Sequence, residues 1–327
     1  MNRFIQRIMA IALAFGMLLA PGVPRAQYPE RPVKLVVGFP AGGAADIVAR
    51  IVANDLSKTL GQQVVVENIT GAGATLAARA VASAAPDGYT LLLATMGNAV
   101  NPTLMQVTTY DAKRDFKPVS QLVRLPTLMM SHPGAPFGTV LELIGYAKAN
   151  PGKVNLAMGP IGTSSSLAAE IFALQVGIRW VQVPYRGGAP AMQALLGGQA
   201  DVFFDAPNPA IGPNAAQGKV RLLAVMQRDR LKRFPDVPSI MELVGPDPAL
   251  EVVAWNGVLA PAKVADAVVA RLHGAITSAL NDAEVRQRLE GLGMEIAPSS
   301  PSEFGSFYLA EIDRWARVIK EANIKPQ

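Results

Sequence analysis

The chain has 327 residues, half of them hydrophobic and 17% charged, with 30 Lys and Arg against 25 Asp and Glu and no cysteine. A composition this apolar builds real cores and excludes a disordered chain, and the length suits two domains of ordinary size. Without cysteine there are no disulfides, no thiolate chemistry and no Cys-ligated zinc.

In chain order, the first 26 residues stand apart. Arg3 and Arg7 precede the apolar run IMAIALAFGMLLA (8–20), and PGVPRA leads to Gln27. This is the layout of a secretory signal peptide, and the run is too short to span a bilayer. Cleavage is expected after Ala26, with Ala20 as the alternative. Loss of Arg3, Arg7 and Arg25 leaves 27 basic against 25 acidic side chains. The basic character therefore belongs largely to the leader, and nucleic acid loses its support as a partner. No later segment reaches the length of a membrane span, so the exported chain is expected to be a soluble periplasmic protein.

From Pro32 onward, short Val- and Leu-rich runs alternate with helical patterns. VKLVVGF (33–39) leads into a helix with Ile47, Val48, Ile51, Val52, Leu56 and Leu60 on one stripe, closed by Gly61. QVVVEN (63–68) is a second strand, GAGATLAARAVASA a second helix, and YTLLLAT (89–95) a third strand. This βαβαβ rhythm predicts a mostly parallel sheet covered by helices. NPTL (101–104) and DFKPVS (115–120) break the rhythm. It restarts with TLMMSH (127–132), the helix 139–150, KVNLAMG (153–159), the helix 165–177, RWVQVPY (179–185), the helix 189–198, ADVFFD (200–205) and VRLLAVM (220–226). The tail, with patterns at 263–280, 283–293 and 302–322, reads as helices without a sheet of their own. Residues 27–125 plus 227–327 are expected to form one discontinuous lobe and residues 126–226 the other. The fold class is then α/β, two lobes that each carry a mostly parallel sheet flanked by helices. Two chain crossings between them would make a hinge, with a cleft beside it.

Ligands of open parallel sheets sit outside the carboxyl ends of the strands, where loops enter helix N-termini. FPAGGAAD is such a loop, bare of functional side chains, so it offers backbone N–H groups and the positive end of a helix. Its candidate ligand contacts are Phe39, Pro40, Ala41, Gly42, Gly43 and Ala44. Asp46 has two readings, a favourable helix-dipole interaction or a carboxylate turned to the ligand. The second unit repeats the device in NLAMGPIGTSSSLAAEIF (155–172), with Gly159, Ile161, Gly162, Thr163, Ser164 and Ser165 as candidates. One N-cap needs one hydroxyl, and this run supplies several. VPYRGGAP (183–190) is a third glycine-bearing loop, from which Tyr185 is a candidate. Thr95 and Met96 end the third strand, and Asp205 ends FFD. Phe39, Met96, Tyr185 and Trp255 are the large side chains that could line a pocket. Two donor-rich loops, one per lobe, would face each other across the hinge and take one end of a small anion.

Catalytic equipment is missing. GAGATL (71–76) lacks the third glycine of a dinucleotide loop, GTSSS lacks the G-x-S-x-G elbow, and no H-E-x-x-H or carboxylate–histidine cluster is present. Of the two histidines, His132 precedes Pro133 in an expected hinge region and His273 lies on a helix face. No catalytic residue, metal site or cofactor is expected.

Several stretches carry a resemblance to a known family: YPERPVKLVVGFPAGGAADIVAR, VVVENITGAGATLAARAVASAAPDGYTLLLAT, NPTL, VPYRGGAPAMQALLGGQADVFFD and DVPSIMEL. Together they resemble the solute receptors of the tripartite tricarboxylate transporter system, the Bug family, over essentially the whole exported chain. The resemblance implies a type II periplasmic binding protein that captures a small carboxylate and delivers it to membrane permease subunits, the receptor itself being a monomer. It also implies that one carboxylate is held by backbone amides, hydroxyls and ordered water. The two loops map onto Phe39 to Asp46 and Gly159 to Ser165, and the first-loop acidic residue onto Asp46. Ser166-Leu167 stands where many members have His-Leu, and the Ser run is an unusual filling. A sensory receptor of the same fold, docking to a signalling partner, is the alternative reading.

Overall fold

The computed structural model describes residues 28–105, 109–159, 161–321 and 324; the expected leader lies outside the described residues. Among the described residues, eleven strands, written β1 to β11 in chain order, form two sheets. The first has the order β11-β4-β10-β3-β1-β2 and the second β7-β6-β8-β5-β9.

Val33–Val37 (β1) is buried except at Lys34, as its largely apolar run demands. It pairs in parallel with Val64–Asn68 (β2) and Thr90–Thr95 (β3). The intervening helices are Ala44–Leu60 (α1) and Thr75–Ala82 (α2). The α1 stripe of Val48, Ile51, Val52, Leu56 and Leu60 is buried, and Gly61 ends the helix at φ 70° with its N–H on the Ser57 carbonyl. That left-handed cap is the ordinary reason for a glycine there.

In the second sheet, Asn155–Met158 (β6) pairs in parallel with Val181–Pro184 (β7) and Val202–Asp205 (β8). Val140–Ala149 (α4), Ser164–Val176 (α5), Gly188–Leu196 (α6) and Ile211–Ala216 (α7) belong to this half of the chain.

Both sheets are mixed, where the sequence pattern predicts mostly parallel ones. Val253–Pro261 (β10) runs antiparallel to β3 and to Phe116–Pro126 (β4), whose far edge carries Glu295–Ile296 (β11). Leu128–Ser131 (β5) runs antiparallel to β8 and to Arg221–Val225 (β9). The crossings dictate this. β4 and β9 carry the chain out of their sheets and run with the parallel strands, whereas β5 and β10 carry it in from the other sheet and must run the opposite way. The two crossings are stitched together by three bonds: Met226 N–H donates to the Thr127 carbonyl at 2.8 Å, Val252 N–H to Met226 at 2.9 Å, and Thr127 N–H to Val252 at 3.4 Å. His132, expected near the hinge, is instead at the far end of β5, because that strand begins at the crossing and leads away from it.

Two further readings change. NPTL does not interrupt structure; it is the last turn of Met96–Leu104 (α3), with Pro102 inside the helix. Proline removes the donor that would serve the Asn98 carbonyl, and the Tyr308 hydroxyl approaches that carbonyl at 3.4 Å. The segment after 227 also owns sheet: β10 lies between β3 and β4, inside the first sheet, rather than in a purely helical tail. Its WNG interior hides the strand signal. Gly257 is there because a Cβ would lie 2.2 Å from Cζ of Phe304 in Pro301–Glu321 (α11), whose ring points its tip at the strand. Ile240–Val244 (α8), Asp266–Asn281 (α9) and Ala283–Gly291 (α10) complete the fold.

Candidate ligand-binding site

The carboxyl ends of β1, β3, β6, β7 and β8 open on one cavity of about 630 Å³ between the two sheets. That volume is of the size that small-molecule sites occupy. The first sheet contributes Phe39 to Ala45 at the start of α1 and Thr95, Met96 and Gly97 at the start of α3. The second contributes Gly159, Thr163, Ser164 and Ser165 at the start of α5, Arg186 to Pro190 at the start of α6, and Asp205 with Asn208 after β8. Leu125, Ala254, Trp255 and Asn256, beside the crossing, form the floor. Four helices thus turn their N-terminal ends to one space.

The start of α1 is bare in the structure as in the sequence. Gly43 is the N-cap with φ −75°, and no side chain caps the helix. The first N–H groups of a helix have no intrahelical acceptor, so those of Ala44 and Ala45, both on the cavity wall, face it without one. Gly42 has another task. Its N–H donates to Asp46 Oδ2 at 2.9 Å, the same oxygen accepts from Arg50 Nε at 2.9 Å, and Oδ1 accepts from Asn68 Nδ2 at 2.9 Å.

Asp46 is buried and absent from the cavity wall. Its carboxylate braces the loop from behind. Burial pushes its pKa up, but the bonds from Arg50, the Gly42 amide and Asn68 outweigh this and hold it below the ordinary aspartate value. Asp46→Ala is expected to cost about 1–3 kcal/mol by leaving these donors without their acceptor. A carboxyl with a depressed folded-state pKa stabilises above its unfolded pKa, and the contribution is lost as pH falls through the folded value. Thermal unfolding of both proteins at neutral and acidic pH should therefore show the wild-type advantage shrinking on acidification.

The second loop divides its hydroxyls. The Thr163 hydroxyl, at the N-cap, accepts from Ser166 N–H at 3.4 Å, and Ser166 Oγ returns to the Thr163 carbonyl at 3.0 Å. Ser165 Oγ donates to the Phe204 carbonyl, tying α5 to β8. The Ser164 hydroxyl, on the wall, has no partner among the described residues. Of the expected spare donors, one hydroxyl and the first α5 amides are left.

Among the described residues, Asp205 and Arg186 are the only charged side chains on the wall. Asp205 Oδ1 accepts from the Ala206 N–H at 2.9 Å and Oδ2 from Asn208 Nδ2 at 2.8 Å, and no cation pairs with it among the described residues. Burial raises its pKa to about 7, and those two neutral donors oppose the rise without cancelling it. A Cβ on Gly188 would come within 2.8 Å of Oδ2, so the carboxyl lies directly against the start of α6. Asn256, buried at 3% exposure, donates to the Trp255 carbonyl and leaves its own Oδ1 without a partner.

Four expected site residues are off the wall. Asp46 lies behind its loop. Tyr185 is half-buried in the core of the second sheet, while its neighbour Arg186 reaches the cavity. Ile161 packs in the core, and Gly162 touches Asn101 and Leu104 of α3 across the lobes, 2.9 and 3.2 Å from where its Cβ would be. Conversely, sequence reasoning missed Arg186, Gly188, Asn208 and Asn256. Arg186 and Gly188 stood in the VPYRGGAP loop already singled out; Asn208 and Asn256 carried no signal. No group of His, Asp and Glu among the described residues could hold a metal, and no described helix is long and apolar enough to cross a membrane.

Comparison with known proteins agrees with this architecture. Residues 48–324 match the tripartite tricarboxylate transporter family receptor. The solved periplasmic binding protein BugD is 35% identical and superposes with a TM-score of 0.84, covering 92% of this chain and 100% of its own. Rpa4515 of R. palustris, solved with adipate, is 32% identical at a TM-score of 0.85, with 92% and 100% covered. MatC of Rhodopseudomonas palustris, solved with malate, is 34% identical at 0.81, with 89% and 100% covered. The chain belongs to the tripartite tricarboxylate transporter receptor family, the family of the Bug periplasmic binding proteins.

Proposed function

We propose that this protein captures a small organic carboxylate between the start of α1 on one lobe and the start of α5 on the other, and delivers it to the membrane subunits of a tripartite tricarboxylate-type transporter. The observation that carries the reading is the convergence of helix N-termini from both sheets, that of α1 without a side-chain cap, on one cavity with almost no charged side chains. A carboxylate placed there receives backbone N–H bonds and the positive helix ends together. Charge-assisted bonds of this kind contribute about 1.5–3 kcal/mol each, so a handful suffices without a dedicated arginine. The solved relatives with adipate and malate support the same ligand class. The Thr127, Met226 and Val252 knot gives the lobes a narrow connection about which to close, and the site would be exported with the chain once the leader is removed.

Calorimetric titration with a panel of mono-, di- and tricarboxylates and aromatic acids is the test. At least one is expected to bind with 1:1 stoichiometry and to alter the fluorescence of Trp255, which lies on the cavity floor. Absence of heat from every member of the panel, with the protein folded, would remove the proposal.

A further inference from the structure

A cavity built to hold an anion also contains an acid. Asp205 ends β8 on the cavity wall, with only the Ala206 amide and the Asn208 side chain as partners among the described residues. The carbonyl of its neighbour Phe204 accepts from Ser165, so the strand end is anchored to α5. The floor adds Asn256, whose unpartnered Oδ1 is itself buried. The donors of the α1 and α5 starts and the Asp205 carboxyl share one cavity of ligand size.

Resting on the carboxylate reading above, we propose that Asp205 selects the far end of the ligand: it accepts a hydrogen bond from a hydroxyl or ammonium group there, and admits a second carboxylate only with a proton between them. The solutes favoured near neutrality are then hydroxy acids and amino acids rather than fully ionised diacids. Two carboxylates in contact cannot both stay ionised in a partly dry site, and the usual outcome is one shared proton. A hydroxyl or ammonium meets no such repulsion. Burial of Asp205 already brings its titration to about pH 7, so the choice falls within an accessible range. The elements packed around it contribute one other charge to the wall, Arg186, which precedes α6, and a guanidinium does not titrate near neutrality; β5, α5 and the turn after β8 present Leu128, Ser165 and Asn208.

Matched ligands of equal length read this directly: succinate against 4-hydroxybutanoate and 4-aminobutanoate, and adipate against 6-hydroxyhexanoate, titrated calorimetrically from about pH 6.5 to 8.5, where their carboxyls stay ionised. Diacid binding is expected to consume a proton and to weaken roughly tenfold per pH unit at the alkaline end, while the hydroxy and amino acids hold their affinity. In Asp205→Asn the slope is expected to vanish and the diacid at pH 8.5 to gain roughly tenfold, since the amide donates at every pH. Diacids whose affinity is flat with pH in the wild-type protein would overturn the assignment while leaving carboxylate capture intact. Hydroxy acids that lose affinity in parallel with the diacids would do the same. If no matched ligand and no panel member binds at all, the carboxylate reading itself falls, and this inference with it. The wild-type profile alone decides the question should the variant not fold.

Discussion

Replacing Gly43 by phenylalanine is expected to weaken carboxylate binding more than about a hundredfold, a loss of about 3 kcal/mol, while unfolding of the free protein moves by less than about 0.5 kcal/mol. Gly43 is exposed to the cavity, its φ of −75° suits any residue, and a Cβ there would meet only the Pro40 carbonyl at 3.4 Å. The added ring must therefore enter the space in front of the Ala44 and Ala45 amides. Gly43→Ala, with no ring to place, should bind nearly as the wild type does. Gly42 cannot serve the same purpose, since its φ of 81° strains any side chain and its N–H belongs to Asp46. Calorimetry beside urea unfolding separates the outcomes. A Gly43→Phe protein that binds normally would show that the α1 amides do not touch the ligand.

The second large effect is expected far from the opening, in α11. Glu311 is buried at 6% exposure, and its Oε2 accepts both the Trp255 indole N–H at 3.1 Å and the Trp315 indole N–H at 3.0 Å, while Oε1 takes Arg314 at 3.1 Å. Glu311→Leu leaves two buried indole donors without an acceptor. At about 1–3 kcal/mol for each orphaned group, a loss on the order of 3 kcal/mol follows. Glu311→Gln retains an acceptor of the same shape and should lose markedly less. Trp255 is also cavity floor and lies edge-on against Phe304, Phe307 and Tyr308 at 5.5–5.9 Å. The leucine variant should consequently bind more weakly as well as unfold at lower urea. A loss below about 1 kcal/mol would mean that the two indoles find water instead, and that Glu311 does not hold the floor.

Much of the site was legible because it is made of local pattern. The apolar run of β1, the glycines after it and the stripe of α1 lie within thirty residues, and a strand-to-helix turn without side chains can offer little besides amides. The Gly and Ser run before α5 reads the same way. Errors arose wherever a side chain's direction depended on a distant segment. Tyr185 and Arg186 are adjacent, and at a strand end a shift of one residue turns a side chain to the opposite face. Asp46 could have faced the ligand; Asn68, twenty-two residues on and brought alongside by β1–β2 pairing, turns it into a brace. Pro102 looked like a breaker because the partner near the carbonyl it frees, Tyr308, arrives from the other end of the chain.

By itself, then, the sequence determined the alternation of strands and helices and the bare strand-to-helix loops, because hydrophobic period and glycine placement are properties of neighbours along the chain. The tertiary structure decided which strands run antiparallel, which hydroxyls are already spent, and that Asp205, Asn256 and Arg186 share one space. Those outcomes depend on burial and on hydrogen-bond partners recruited from 39 to 210 residues away, as between Ser165 and Phe204 or Tyr308 and Asn98. Neither can be computed until the chain has crossed from one sheet to the other and returned.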